Sequence, residues 1–386
     1  MRQGPTGMTA AAVALLALAG SAFAQADPFG ALYGPPPGTP PAKDASSGRT
    51  GATSVSGAVG RSYVGSESGG RVSLAQLDMM PDMAAPLPVA LQGHATRYLA
   101  NRPKIAIPGY TLAFVHGASA SAFAAGAGTQ TVQRRTEIAT RLVGLTDDMA
   151  RDLADAAYAD LVSQLEAAGF EVVDLATLLA SEQVARLARH TEPLGGKGII
   201  DSRATKAWIA YGPRALPPIK GHAFETGMGA IAASGALMTI GRASRDLDAI
   251  FITPRLLIDY IDMDSTGQRT YRGSGSVDAE LRFGVNPTSH VDFVWGNNSG
   301  GAMPGWFSTK GAYTPQPFGI LAQTADRSDS IATHNALVSI GFGSIYRQSL
   351  VYDAEISPKR YAALSRAAFQ GFNAALVSEI RKARGQ

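Results

Sequence analysis

The chain has 386 residues, no cysteine, 43 glycines and a formal charge of +3. Its length allows one large domain or two ordinary ones. With 34 basic against 31 acidic residues and no basic cluster, the balance argues against a nucleic-acid partner, and the missing cysteines exclude disulfides and cysteine-based metal sites.

The N-terminus reads as a secretory signal over residues 1–24. Arg2 supplies positive charge, AAAVALLALAG at 10–20 is an apolar core too short to span a bilayer, and Ser21-Ala22-Phe23-Ala24 offers the small residues of a cleavage site. Residues 25–102 are rich in Gly, Pro and Ser, with GPPPGTPP at 34–41, and are expected to form a disordered leader, a spacer with little apolar surface to bury. Near its end Val72 to Leu77 suggest a short strand, and Pro81, Pro86 and Pro88 then interrupt regular structure. A single α/β (α+β) domain is expected from residue 103 to 386, a mixed sheet covered by amphipathic helices, with a β-rich second half.

That domain opens with an apolar strand at 104–107. The small, polar stretch HGASASAFAAGAGTQ within 114–132 is expected to be a long loop, and Ile138 to Val143 a strand. The clearest helix follows. Thr146 is its N-cap, Asp147 and Asp148 meet the positive end of its dipole, and Met149, Leu153, Ala157, Leu161, Leu165 and Ala168 form one apolar face. Gly169 stops it, and Glu171-Val172-Val173 form a second strand. Leu175, Leu178, Leu179, Val184 and Leu187 keep helical spacing, with Ser181 and Glu182 capping a further segment. Gly195-Gly196-Lys197-Gly198 is expected to be a turn, since it lacks the spacing of a phosphate-binding loop. Lys206 to Tyr211 alternate as a half-buried strand. Gly227-Met228-Gly229-Ala230-Ile231-Ala232 fits a loose dinucleotide pattern without the preceding strand, and a small-residue helix over 230–237 is the better reading.

The β-rich half starts with AIFITPRLLIDYIDM at 249–263, expected as two strands broken at Pro254. Asp262, Asp264, Thr266 and Gly267 form a hairpin turn, because Gly273 stands where a calcium loop needs its last acidic ligand. Residues 277–285 and 290–295 alternate as strands. Residues 296–327 are expected as a long loop insertion, and its aromatic and amide groups make it the expected contact surface: Trp295, Asn297, Asn298, Trp306, Phe307 and Tyr313. Ser357 caps a final helix with Pro358 in its first turn and Tyr361, Leu364, Ala368, Phe372, Leu376 and Ile380 on one face.

Residues 104–107, 149–174, 256–267 and 358–380, with LLIDYIDMDSTGQ as a variation on D-x-x-T-G, resemble the TolB N-terminal domain and the related curli secretion-channel family. The resemblance implies binding or assembly in the cell envelope and supplies no catalytic residues. The chain departs from it in lacking the lipidation cysteine of the channel subunits and the propeller repeats of full TolB.

The expectation is therefore an exported bacterial envelope protein with a non-catalytic binding or assembly role, in the periplasm or at the outer membrane. Its expected partners are other envelope proteins or further copies of itself, with peripheral outer-membrane contact, no transmembrane helix, no cofactor and no metal. A secreted hydrolase is the rival, with His116, His222, His290 and His334 as candidates, although no Gly-x-Ser-x-Gly or His-Glu-x-x-His motif is present. A periplasmic ligand-binding protein using Trp295 to Tyr313 is the third reading.

Overall fold

In the computed structural model the described residues are 50–59, 65–68, 70–81, 85–94, 99, 104–125, 133–191, 193–201, 204–222, 224, 228–266, 275–297, 299, 301–328 and 345–385. The expected signal at 1–24 and the first part of the expected leader lie outside them. From Thr50 onward the leader reading is overturned: β1 (Thr50–Gly51), β2 (Ser54–Val59), β3 (Gly65–Ser68), β4 (Val72–Ser73), α1 (Leu74–Met79) and β5 (Leu91–His94) are all formed. Only Val72 and Ser73 of the expected short strand are extended, because Ser73 and Gln76 make a capping box that starts α1 at Leu74. This segment is pinned elsewhere, with Ala52 and Val55 1% exposed, Ser357 donating to Asp78, and Leu87 N–H donating to Ala367 O at 2.8 Å.

The strands β6 (Lys104–Ala106), β7 (Thr111–Ala125) and β8 (Gln133–Val143) follow. The expected loop after residue 114 is thus a strand as far as Ala125; residues 126–132 lie outside the described set. Alternate small residues explain it, since Ala118, Ala120 and Ala122 are buried while Ser119 and Ser121 are half-buried. Helix α2 (Asp147–Ala167) has Thr146 as its N-cap, accepting from Met149 N–H at 3.2 Å, and buries Leu153, Ala157, Leu161 and Leu165 as expected. Gly169 takes φ +81, the left-handed turn that leads into β9 (Glu171–Val172).

Asp174 caps α3 (Leu175–Ala180), and Ser181 caps α4 (Glu182–Ala185). The expected turn at 195–198 instead belongs to β10 (Leu194–Asp201), which pairs antiparallel with β11 (Ala204–Tyr211). Its glycines suit this place: a Cβ at Gly196 would collide with the Trp208 ring of the neighbouring strand. Of the dinucleotide-like glycines, Gly229 falls at the start of α5 (Met228–Asp246), a helix as expected, and Gly227 lies outside the described residues.

The expected break at Pro254 does not occur, and β12 (Ile250–Thr266) is continuous. On one side β12 pairs with β6 at Ile250 and Phe251 and with β7 only from Arg255 onward, so Pro254 sits where that ladder has a gap and needs no N–H. β13 (Gly275–Val285) returns against it, followed by β14 (His290–Gly296). The expected loop insertion is three strands, β15 (Ala302–Thr309), β16 (Ala312–Thr314) and β17 (Gly319–Asp326), because its aromatics alternate across the sheet. β18 (Ile345–Ile356) and α6 (Pro358–Ala383), capped by Ser357, end the described chain.

The fold is mixed α/β with a β-rich character, 46% strand against 30% helix among the described residues. Sixteen strands share one branched, mixed sheet. One part of it, running β10-β11-β7-β12-β14-β15-β5, is covered on both faces. Leu153 and Leu161 of α2 and Leu364 and Phe372 of α6 join one core, whereas Leu178 of α3, Val184 of α4 and Ile240 of α5 join another with Phe251 and Val294. Helix α5 lies close because Gly241 and Gly296 meet, and a Cβ on Gly296 would strike the Gly241 carbonyl.

In the other part the order β17-β18-β8-β7-β12-β13-β2 closes on itself, through the Ala52–Leu321 bridge and the Leu321 N–H to Ala52 O bond of 2.7 Å. The interior of this ring is narrow. A Cβ on Gly57 of β2 would lie 2.7 Å from Thr136 Cγ2 of β8, with which β2 makes no ladder. Thr140 and Tyr260 hydroxyls share a buried 2.8 Å bond inside it, and Thr136 donates to Gln348 at 3.2 Å. Outward-facing charges pair between adjacent strands, Arg141 with Asp353 at 2.6 Å and Arg347 with Glu137 at 2.8 Å.

Between the two parts lies a buried ion pair. Lys206 of β11 and Asp259 of β12 are 2% and 0% exposed. Lys206 also donates to Ile261 O at 3.0 Å, and Asn286 donates to Asp259 at 3.0 Å, so both charges are solvated by protein.

Candidate functional site

The six residues expected to form one contact surface divide between two faces. Strand alternation explains why. Trp306 sits opposite Asp292 in the β14–β15 ladder and Phe307 opposite Val291, so the two neighbours point to opposite sides. Trp306 is 46% exposed; Phe307 is buried, its ring 5.5 Å from Phe293. Trp295 shares the Phe307 face. Asn297 closes the β14–β15 hairpin, its Oδ1 accepting from Gly301 N–H and Ser299 Oγ, each at 2.7 Å. Tyr313 lies on β16 opposite Gly284, under the Arg282 guanidinium, with 5.3 Å between centres. Asn298 lies outside the described residues. Trp306 alone of the six is an exposed large apolar side chain.

The face that carries Trp306 also gathers titratable groups. Arg255 is opposite His290 and Thr253 opposite Asp292 in the β12–β14 ladder, so Arg255, His290 and Asp292 share a face. Arg255 pairs with Asp292, and His222, from the loop before α5, brings Nδ1 to 3.5 Å from Asp292 Oδ2. His222 is 2% exposed. His290 holds Thr288 O at 2.8 Å through Nδ1, and Phe224 packs between it and Trp208 at 6.0 and 5.7 Å. Burial pushes the His290 imidazole down to about 4, with Arg255 adding to the effect, so it is neutral at pH 7.

The four candidate histidines thus have separate fates. His222 and His290 meet; His116 occupies a bulge in β7 opposite the β11 step between Ala207 and Trp208, with Ser119 and Ser121 farther along the strand; His334 lies outside the described residues. Arg255 and Asp292 join them without having stood out as candidates. The signal is present in His290-x-Asp292, since a spacing of two on a strand puts both side chains on one face. Chemically the cluster is a compensated charge pair flanked by two imidazoles. Asp292 is neutralised by Arg255, which leaves the group suited to fixing His222 onto the sheet. Among the described residues, no group of three or more His, Cys, Asp or Glu is placed to hold a metal ion. Nor, among them, is any helix long and apolar enough to cross a membrane, a statement that does not extend to strands.

Compared with protein-family models, curated proteins and solved structures, the chain finds no match in any of the three.

Proposed function

We propose that this is an exported bacterial envelope protein that works by contact, binding or assembling with other envelope components or with further copies of itself in the periplasm or at the outer membrane. The observation that carries this reading is β10, an eight-residue strand paired among the described residues with β11 alone. A strand with one open side offers a row of backbone donors and acceptors to an incoming strand. The exposed indole of Trp306 adds a second contact element of the kind enriched at protein interfaces.

The test is fractionation of cells with chemical crosslinking, using an antibody against the full chain. The expected result is a high-mass crosslinked species in the envelope fraction, weakened by Lys197→Pro, which removes a backbone donor from β10. A chain that stays monomeric and soluble, with no crosslinked partner, overturns the proposal. Residues 296–327 supply three strands, so their deletion would dismantle the sheet; Trp306→Ala is the informative change there.

The meeting of His222, His290 and Asp292 favours a hydrolase as the second reading. Activity on a panel of ester, glycan and peptide substrates that disappears in His222→Ala would establish it. A third reading, ligand binding at Trp295 to Tyr313, rests on Trp306, and a shift of its fluorescence with added sugars or peptides would support it.

A further inference from the structure

At the start of β10 the sheet has a corner. Leu194 is opposite Ala210, and just beyond them the chain encloses a cleft of about 150 Å³. That space suits one terminal residue and is well short of the roughly 300 Å³ at which sites for drug-sized ligands begin. Its walls are stiff. Pro193 and Pro217 line it beside the Tyr211 ring, and Arg189 braces it from behind by donating to Pro217 O and Pro108 O, each at 2.7 Å.

The charges lining the cleft are unevenly matched. Arg214 is held by Asp152 and Asp155, and the Tyr211 hydroxyl donates to Asp147 at 2.7 Å. Arg151, half-buried on the second turn of α2, also lines the cleft, yet among the described residues no carboxylate pairs with it. His190 and Thr191 stand on the same wall. A half-buried guanidinium with room in front of it and polar neighbours is suited to a carboxylate, which it can hold in two parallel bonds.

The position of the cleft gives the ligand a direction. β10 runs away from the cleft, so a strand added antiparallel to its open side runs toward the cleft and ends there. We propose that this corner seats the free C-terminal carboxylate of an extended partner peptide, with Arg151 holding the carboxylate and the preceding residues adding to the open edge of β10. The proposal rests on the contact reading above and deepens it by naming the partner's chemistry. The edge suits the approach at Gly195, around which a Cβ would meet nothing within 4 Å.

The experiment uses the full chain and a fluorescein-labelled hexapeptide of alternating Thr and Val, once with a free C-terminal acid and once as the amide, read by anisotropy. The acid is expected to bind about tenfold or more tightly than the amide, a difference of about 1.4 kcal/mol typical of a charge-assisted contact. Arg151→Gln should erase that difference and leave the amide's affinity in place, Arg151→Lys should restore part of it, and Lys197→Pro should weaken both peptides. Circular dichroism of each variant checks that the fold persists. Equal binding of acid and amide, or binding of neither, overturns the proposal. So does competition by inorganic phosphate at the same concentration as the acid peptide, which would make the corner a plain anion hole. If the envelope crosslinks survive in Arg151→Gln while the peptide preference is absent in the wild type, the corner proposal fails and the contact reading stands; if the wild type gives no crosslinks, the contact reading itself fails.

Discussion

The covered part of the sheet and the strand ring solve the burial problem in opposite ways. Where α2 and α6 lie on one face and α5 on the other, the core is built from large side chains such as Leu161, Phe251, Phe293 and Phe372. Inside the ring, strands face strands across a narrow space, and the small residues Ala118, Ala120, Ala122, Thr136 and Thr140 alternate with larger ones such as Ile138 and Tyr260, with Gly57 opposite Thr136. A helix can stand off from a sheet by the width of its side chains, about 10 Å between layers, and so admits bulk. A closed ring of strands fixes its own diameter, so large side chains such as Ile138 and Tyr260 fit only where Gly57 and the alanines of β7 leave room. The two parts thus differ in what sets the space: helix stand-off in one, and glycine and alanine placed against large partners in the other.

The largest expected effect is at their junction. Lys206→Met leaves Asp259 charged and buried without its partner, and should lower stability by about 3–5 kcal/mol in urea unfolding. Adding Asp259→Leu to it should recover most of that loss; a double variant no more stable than the single one would mean that the pair does not act as a unit. Next come two substitutions of opposite sense that separate the halves directly. Leu161→Ala opens a cavity under α2 and should cost about 2–5 kcal/mol, whereas Gly57→Val overfills the ring and should cost about 1–3 kcal/mol. If Gly57→Val were neutral, the ring would have slack and the size argument would fail.

The smallest effect concerns pH. His290 has a folded value near 4, below the ordinary value of 6.5, so the unfolded chain binds a proton that the folded chain refuses. Its contribution is constant above about pH 6.5 and turns unfavourable as pH falls toward 4. For a ring only partly shielded by protein the loss should be about 1 kcal/mol, and His290→Asn should flatten stability against pH in that window. An unchanged pH profile would remove the charge argument for the cluster around Asp292.

How much of the fold is legible in the sequence follows the same division. The helices α2 and α6 can be read almost to the residue, because Thr146 and Ser357 cap them and their apolar spacing is local. β7 reads wrongly as a loop, since Ala, Ser and Gly give little contrast between faces and their burial depends on Gly57 and Thr136, far away in sequence. β12 reads as cut at Pro254 because the gap between β6 and β7 that tolerates it is a property of the neighbours. In the candidate surface, the pattern finds Trp306 and misplaces Phe307 beside it; taking that segment as a strand parts them. Arg151 leaves no trace in the sequence, as its standing at a cleft with no carboxylate partner among the described residues emerges only when α2 meets the prolines after β11.

The bridge that closes the ring has a consequence for how the molecule comes into being. Ser54–Val59 pairs early with Gly65–Ser68 but finds its second ladder on Gly275–Val285, and Ala52 finds Leu321, so this early strand completes its pairing only with partners made long after it. Such distant pairings make folding slow, since the loss of chain freedom precedes any reward. Until β18 supplies the parallel neighbour of β8, the ring cannot shut, and a nascent or threaded polypeptide stays open-chained. A molecule assembled in this order reaches its final shape only once nearly its whole length is free to pair.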